Sequence, residues 1–510
     1  MKRIIQLRNA SFLFKPPKLK FTICLLVIST LSIYIITQEK EKTPLPDPFD
    51  SYGKFQSHCS NNYFAIPDID GKINWNDQEL LERESLRKGP GENGQPINVP
   101  KGEKKQHEES IYWNGYSGFV SNKISLARSV PDFRDPKCLQ RKNLKYLPEV
   151  SIIIPFFEEH LKTLKRTIIG VLNRSPSRLI KEIILVDDGS KTQKDLMEPF
   201  EEWLNKTLPV NLIILVRNPT RQGLIRARTI GAERATTKYL IFLDCHVEPL
   251  HNWLPPLIEP IYLNNKVVTC PLIDTIMLET FEIIGPDNGA RGVFDWDMNY
   301  RKVPLRKFER DSLPDPYESP VMAGGLFAIH ADWFWRMGGY DPGLFIWGGE
   351  QYELSFKLWM CGGRMLDIPC SRVAHIYRHA MPYENPMPEA FSVNLKRVVS
   401  TLMTGYEKYV YKRIPNVEKV DGGDIRDRQQ ILKDLKCKSF DWFVMNVARD
   451  MLQVYPMISP PMAYSGKLRS YNNPGLCITK KSEDTKISLT NCTEAITDIG
   501  YTYKREVKTG

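Results

Sequence analysis

Between residues 150 and 246, short apolar runs alternate with amphipathic ones. VSIIIPFF at 150–157 is rich in β-branched residues, the pattern of a strand buried on both faces. Over 159–173, Leu161, Leu164, Ile168, Ile169 and Leu172 fall at helical spacing. IKEIILVDDGS at 180–190 reads as a second buried strand ending in a polar turn. A helix over 195–204 then leads to a third strand, VNLIILVRN, at 210–218. GLIRARTIGAERAT at 223–236 is a helix with basic side chains, and KYLIFLDCH at 238–246 is a fourth strand. This alternation specifies an α/β domain around a parallel, doubly wound sheet. Such sheets bind ligands beyond the carboxyl ends of their strands, where DDGS and DCH fall.

Beyond His246 the pattern is irregular and rich in aromatic residues, through GVFDWDMNY, AGGLFAIH and LFIWGGEQYELSFKLWMCGG. Helical spacing returns over 395–413, and VYPMISPPMAYS at 454–465 is a linker to a short tail. At the other end, residues 21–37 carry no charge. As a helix they span ~26 Å at ~1.5 Å per residue, enough for a thin bilayer of ~27 Å. Lys2, Arg3, Arg8, Lys15, Lys18 and Lys20 precede this run, and Glu39, Glu41, Asp47 and Asp50 follow it. The positive-inside rule makes 1–20 a cytosolic tail and 21–38 a signal anchor, with the rest in the lumen. The long basic lead and the lack of a small-x-small site after Ile36 argue against a cleaved signal peptide. Residues 39–110, rich in Pro, Gly, Asn and charge, read as a stem, 111–455 as the main folded domain and 456–510 as the linker and tail.

Composition changes this picture little. The net charge of +10 raises the question of a nucleic-acid partner, but part of it flanks the apolar run and no Arg-rich tract follows. Nucleic acid is therefore not expected, and an anion-binding site is. Among ten cysteines, none forms a C-x-x-C zinc pair, and Cys138, Cys361, Cys370, Cys437, Cys477 and Cys492 lie in the part assigned to the lumen. Asn173, Asn205 and Asn491 head glycosylation sequons.

The chemistry concentrates at the strand ends. Asp244 and His246 are two apart at the end of a strand, so both side chains leave one face of the pleat and suit a divalent cation such as Mn²⁺. His375, in SRVAHIYRHAMPY, is a candidate third ligand, with Arg378 and Tyr383 placed to meet phosphate. Asp188 suits a uracil or ribose contact, although Asp-Gly-Ser is also plain turn chemistry. Arg221 lies in the next strand-end loop. In Trp347-Gly348-Gly349-Glu350 the acid suits sugar hydroxyls or acid–base work, or equally the N-terminus of the helix that follows.

Over about 138–437, the order VDDGS, RQGLIRAR, FLDCH, GVFDW, AGGLF, WGGE, CGG and PCSRVAHIYR resembles the polypeptide N-acetylgalactosaminyltransferases. The resemblance implies a Rossmann-like A-type glycosyltransferase fold in a Golgi membrane protein of single-pass type II topology. It implies transfer of GalNAc from UDP-GalNAc to Ser or Thr hydroxyls of proteins, the start of mucin-type O-glycosylation, with Mn²⁺ and retention of configuration. Asp244, His246 and His375 then resemble the metal ligands, and Asp244 and Glu350 the catalytic acids, Glu350 orienting the sugar. Pro155, Asp188, Arg221, Cys245 and Gly325 take donor-binding positions, and Trp347, Arg378, Met381 and Tyr383 line the diphosphate side. Phe294, Trp296 and Tyr377 resemble an acceptor-peptide groove. The family's pairings bridge Cys138 to Cys370 and Cys361 to Cys437. Residues 466–493 resemble one repeat of a ricin-type lectin trefoil, bridged Cys477 to Cys492, so the tail is an incomplete lectin segment. The chain departs from the family at Pro155, Phe157, Gln351 and Met381. These departures leave a second reading open, a luminal relative that binds UDP-sugar or peptide without turnover.

Overall fold

The computed structural model describes residues 71–285, 289–380, 382–458, 462–466, 473–480, 487–493 and 499–502. The expected anchor at 21–38 and Cys59 lie outside these residues. Among the described residues no helix is long and apolar enough to cross a membrane. Residues Lys72–Pro461 form one compact unit, and the described residues from Met462 onward belong to another.

The first unit is built on a ten-stranded mixed sheet. Its parallel half has strands β1 (Val150–Phe156), β2 (Ile180–Asp187), β3 (Ile213–Arg217) and β4 (Tyr239–Phe242), in spatial order β3-β2-β1-β4. Every residue of β1 is buried, as a near-continuous apolar run between two helical layers must be. Helices α1 (Leu161–Asn173), α2 (Glu198–Thr207) and α3 (Leu224–Arg234) fill the connections, as the spacing predicts. Pro155 is tolerated inside β1 because the ladder to β4 ends at the Ile153–Phe242 pair, so no partner there needs its missing N–H.

The other half departs from the expected parallel sheet. β5 (Val267–Ile276) is followed by β6 (Phe327–His330), which inserts antiparallel between β4 and β5, and β7 (Arg364–Ile376) runs parallel to β5. Two antiparallel steps restore direction, so the carboxyl ends of β4 and β7 meet at one rim. Residues Val247–Pro249 pair antiparallel with β7, setting His375 opposite Val247. The β5–β7 register shifts between Ile368 and Arg372, and this irregularity holds Cys370, which is bonded to Cys138. Helix α4 (Glu350–Met360) starts at the Glu of WGGE, and Cys361 after it is bonded to Cys437. The helix expected over 395–413 is broken into α5 (Ala390–Leu402) and a short turn, Glu407–Tyr411, with Gly405 left-handed between them (φ 87°).

Residues 72–110, assigned from sequence to a stem, belong to the compact unit. Within this segment Glu84 and Glu92 are buried. Glu84 pairs with Arg174 at 3.1 Å and lies 3.4 Å from His251. Glu92 accepts from Ser129 N (2.6 Å), Ser129 Oγ (2.8 Å) and Arg87 (2.8 Å). The described residues of the second unit form two antiparallel pairs, Met462–Gly466 with Ile499–Thr502 and Leu476–Lys480 with Ile487–Asn491. Cys477 is bonded to Cys492 beside the second pair. All three expected disulfides are present, and Asn173, Asn205 and Asn491 are exposed.

A buried ion pair fixes the segment that carries His246. Arg128 grips Glu248 through Nε and Nη2, both at 2.8 Å, with neither group in contact with bulk water. Arg128→Met leaves the Glu248 carboxylate unpaired and is expected to cost about 3–5 kcal/mol of unfolding free energy by denaturant titration. Adding Glu248→Gln restores most of that loss.

Candidate active site

β4 ends at Phe242, and Asp244, Cys245 and His246 lie in the turn that follows. This corrects the expectation of a shared pleat: the turn, not alternation along a strand, brings Asp244 and His246 together. Thr167 of α1 pins that turn, its hydroxyl donating to the carbonyls of Cys245 (2.9 Å) and Val247 (2.8 Å). Ile376 N donates to His246 O (3.2 Å), so β7 delivers His375 to the same place. The ligand-type atoms of Asp244, His246 and His375 all lie within 4.8 Å of one another. His375 Nε2 is 3.2 Å from Asp244 Oδ2, and the two imidazole rings are 4.9 Å apart. One carboxylate and two imidazoles on three sides of a small volume fit Mn²⁺.

Asp244 sits out of contact with most solvent, and burial alone raises its carboxyl. The His375 hydrogen bond and the Arg228 guanidinium reverse that and hold it well below the usual carboxylate range. Arg228, on α3, donates through Nη2 to Asp244 Oδ1 (2.9 Å) and lies 3.6 Å from Glu350 Oε1. It thereby links the three-ligand cluster to the acid of WGGE. Arg228 Nε and Nη1 have no hydrogen-bond partner among the described residues. Glu350 accepts from Gly348 N (2.7 Å), and burial raises its carboxyl despite Arg228 opposite. Gly325 lies directly over Asp244: a Cβ there would stand 2.4 Å from Asp244 Oδ2. Only glycine permits this approach.

Asp188 supports a loop. Its carboxylate accepts from Gln222 N (2.8 Å), Gly223 N (2.7 Å) and Asn218 Nδ2 (3.0 Å). That loop presents Arg221, whose guanidinium lies between the rings of Phe157 (4.3 Å) and Tyr383 (4.7 Å) and donates to Glu384 O (2.6 Å). Ile346, before Trp347, is held at φ 52° and bridges to Gly223. A β-branched residue in that region stores roughly 1–3 kcal/mol of strain. Trp347 is 51% exposed and stacks on Phe391, and Tyr377 is 50% exposed with its ring 4.6 Å from His375.

Two of the aromatic residues assigned to an acceptor groove are not at a surface. Phe294 and Trp296 are 0% and 1% exposed. Phe294 packs on Tyr352, Phe356 and Phe440, and Trp296 stacks on Tyr406 and donates to Tyr455 O (3.0 Å). They are core residues, and of the three only Tyr377 is exposed. Met381 lies outside the described residues.

Sequence reasoning passed over Glu159, Arg228, Tyr116 and Thr167. Arg228 stands inside RQGLIRAR, so the motif held a signal for it. Glu159 lies two residues beyond the departure at Phe157, and its three-dimensional partners reveal its place. Glu158 itself has φ 47°, and its carboxylate accepts from the backbone of Lys191 (2.6 Å), Thr192 (2.9 Å) and Gln193 (2.9 Å), capping the loop after DDGS.

With this geometry in place, comparison with known proteins is informative. Residues 151–338 match the family model described as glycosyl transferase family 2, and 307–380 match that described as the N-terminal domain of galactosyltransferase. Human polypeptide N-acetylgalactosaminyltransferase 10 is 45% identical over 420 residues, covering 82% of this chain and 68% of that protein. N-acetylgalactosaminyltransferase 4 of Drosophila melanogaster is 45% identical over 439 residues, covering 84% and 68%. A crystal structure of GalNAc-T7 with UDP, GalNAc and Mn²⁺ superposes with a TM-score of 0.70 at 38% identity, over 80% of this chain and 76% of that one. Identity at this level, spread over more than two thirds of each relative, agrees with an A-type α/β fold that gathers its acidic and imidazole groups at the strand ends; the chain is a glycosyltransferase and belongs to the polypeptide N-acetylgalactosaminyltransferase family.

Proposed function

We propose that this chain transfers GalNAc from UDP-GalNAc to Ser or Thr hydroxyls of polypeptides, in a Mn²⁺-dependent reaction that retains configuration and initiates mucin-type O-glycosylation. The observation that carries this reading is the convergence of Asp244, His246 and His375 at one rim of the sheet. It agrees with the names of relatives 45% identical and with a neighbour solved with UDP, GalNAc and Mn²⁺.

Asp244, His246 and His375 would hold the cation, which when bound offsets diphosphate charge as UDP departs. The remaining work falls to the chain itself. Arg378 and Arg221 bring positive charge to the diphosphate side, with the Tyr383 ring beside both guanidiniums. Asp188 fixes the loop of Arg221 and faces the nucleoside, with Pro155 and Cys245 as neighbouring donor contacts. Glu350, steadied by Gly348 N and Arg228, orients sugar hydroxyls, and Gly325 leaves room for the sugar beside Asp244. Trp347 and Tyr377 offer exposed rings at the rim, Tyr377 toward the acceptor peptide and Trp347 beside the diphosphate.

Three disulfides suit an oxidising compartment, in keeping with a Golgi enzyme anchored through 21–38 with its catalytic unit in the lumen. Asn173, Asn205 and Asn491 would then be open to glycosylation. The paired strands around Cys477–Cys492 agree with one repeat of a ricin-type lectin segment. The competing reading, donor binding without turnover, rests on Pro155, which offers no hydroxyl, and on Phe157, whose ring takes up Arg221.

Incubation of the chain with UDP-GalNAc, Mn²⁺ and a Ser/Thr-rich peptide separates the two: glycopeptide supports the enzyme, whereas UDP binding without glycopeptide supports the competing reading. Chelation is expected to stop transfer and added Mn²⁺ to restore it. Asp244→Ala is expected to lower metal-dependent transfer at least about 100-fold, the scale of losing several kcal/mol of charge stabilisation. Unchanged turnover in that variant contradicts the assignment. Gly325→Ala drives a methyl into the Asp244 carboxylate and is expected to raise the Mn²⁺ concentration for half-maximal activity on the order of 10-fold.

A further inference from the structure

Behind the three-ligand cluster lies a carboxylate to which the reaction described above assigns no task. Glu159 is 1% exposed and sits between β1 and α1. Its Oε1 accepts from the Tyr116 hydroxyl and from His160 N (2.9 Å). Its Oε2 accepts from the Arg378 guanidinium and the Cys245 thiol (3.0 Å), and lies 2.9 Å from His246 Nδ1. Five donors from four separate stretches of chain thus converge on one buried side chain. His160 N and the Arg378 guanidinium can only donate, so each carboxyl oxygen faces at least one obligate donor.

A carboxylate so placed offers only acceptors to its remaining neighbours. His246 can satisfy Glu159 only with its proton on Nδ1, which leaves Nε2 carrying the lone pair that a metal requires. The same oxygen takes the Arg378 guanidinium, whose aromatic neighbours Tyr116 and Tyr383 lie 5.5 and 5.9 Å from that cation. Arg378 Nε is buried without a hydrogen-bond partner among the described residues, so the pairing with Glu159 is what holds this cation in place.

We propose that Glu159 is a positioning residue that serves two parts of the site at once: it sets the His246 tautomer that presents Nε2 to the cation, and it anchors Arg378 beside the diphosphate. This rests on the metal-dependent reading above and adds to it a specific coupling. Loss of the carboxylate would weaken the metal and the nucleotide together, although Glu159 touches neither.

The test is Mn²⁺ binding, read from the electron paramagnetic resonance signal of free Mn²⁺ during titration of the full chain, with no acceptor or turnover. Glu159→Gln is nearly isosteric and lacks the charge. It is expected to weaken Mn²⁺ about 10–100-fold, the usual effect of removing a partner behind a metal-bound imidazole, and to weaken UDP at saturating Mn²⁺ as well. Glu159→Asp keeps the charge and is expected to recover part of both. A residue that only stabilises the fold would lower the unfolding temperature while leaving both constants unchanged for folded protein, and that result overturns the proposal. If Glu159→Gln fails to fold, the unaltered chain still decides. Among its eight histidines, the imidazole ¹⁵N resonances assigned to His246 must show Nδ1 protonated and Nε2 bare; the opposite tautomer overturns the proposal. Absence of Mn²⁺ binding by the unaltered chain would remove the metal reading itself, a distinct outcome from equal binding by both proteins.

Discussion

Two carboxylates, the half-buried Asp244 and the buried Glu159, set the terms for the rest of this structure. An isolated buried carboxylate costs several kcal/mol, so each must be met by cations and donors of fixed position. Asp244 is met by Arg228 and His375, and Glu159 by Arg378, His246, Cys245 and Tyr116. The two sets adjoin because Asp244, Cys245 and His246 are consecutive. What results is a strand-end site already arranged around a position for positive charge.

The fold makes this affordable by drawing those partners from rigid elements. Arg228 comes from a helix, His375 from the strand paired with Val247–Pro249, and Thr167 ties the intervening turn to α1. The segment ending at Glu248 is in turn locked by Arg128 from outside the sheet. Cys138–Cys370 fastens the irregular part of β7 upstream of His375. Strain at Ile346 and the close approach at Gly325 bring the WGGE and AGGLF segments to the same rim. A glycosyltransferase of this family thus spends its local irregularities where a sugar nucleotide would lie.

Much of this was legible in the sequence. The apolar runs of β1, β2 and β4 and the helical spacing of α1 and α3 reported the parallel half, because both faces of those strands are covered. The inserted β6 was not legible, since FAIH is too short for its period to reveal direction. The motif pattern picked out Asp244, His246 and His375, but the reason offered for the first two, a shared pleat, was not the one the chain uses. Phe294 and Trp296 sit in a recognisable motif that carries no information about burial, and they proved to be core. The compact packing of residues 72–110 was not legible, because the partners of Glu84 and Glu92, namely Arg174, His251 and Ser129, lie far along the chain. Glu159 was invisible for the same reason: its significance is a set of contacts and not a spacing.

The central claim is that one cation is held by Asp244, His246 and His375. Crystals grown with UDP and Mn²⁺ and measured on both sides of the manganese absorption edge test it most directly. The account predicts a single anomalous peak within coordination distance of all three side chains, with His246 bound through Nε2. A peak elsewhere, or none beside Asp244 with UDP in place, would contradict it.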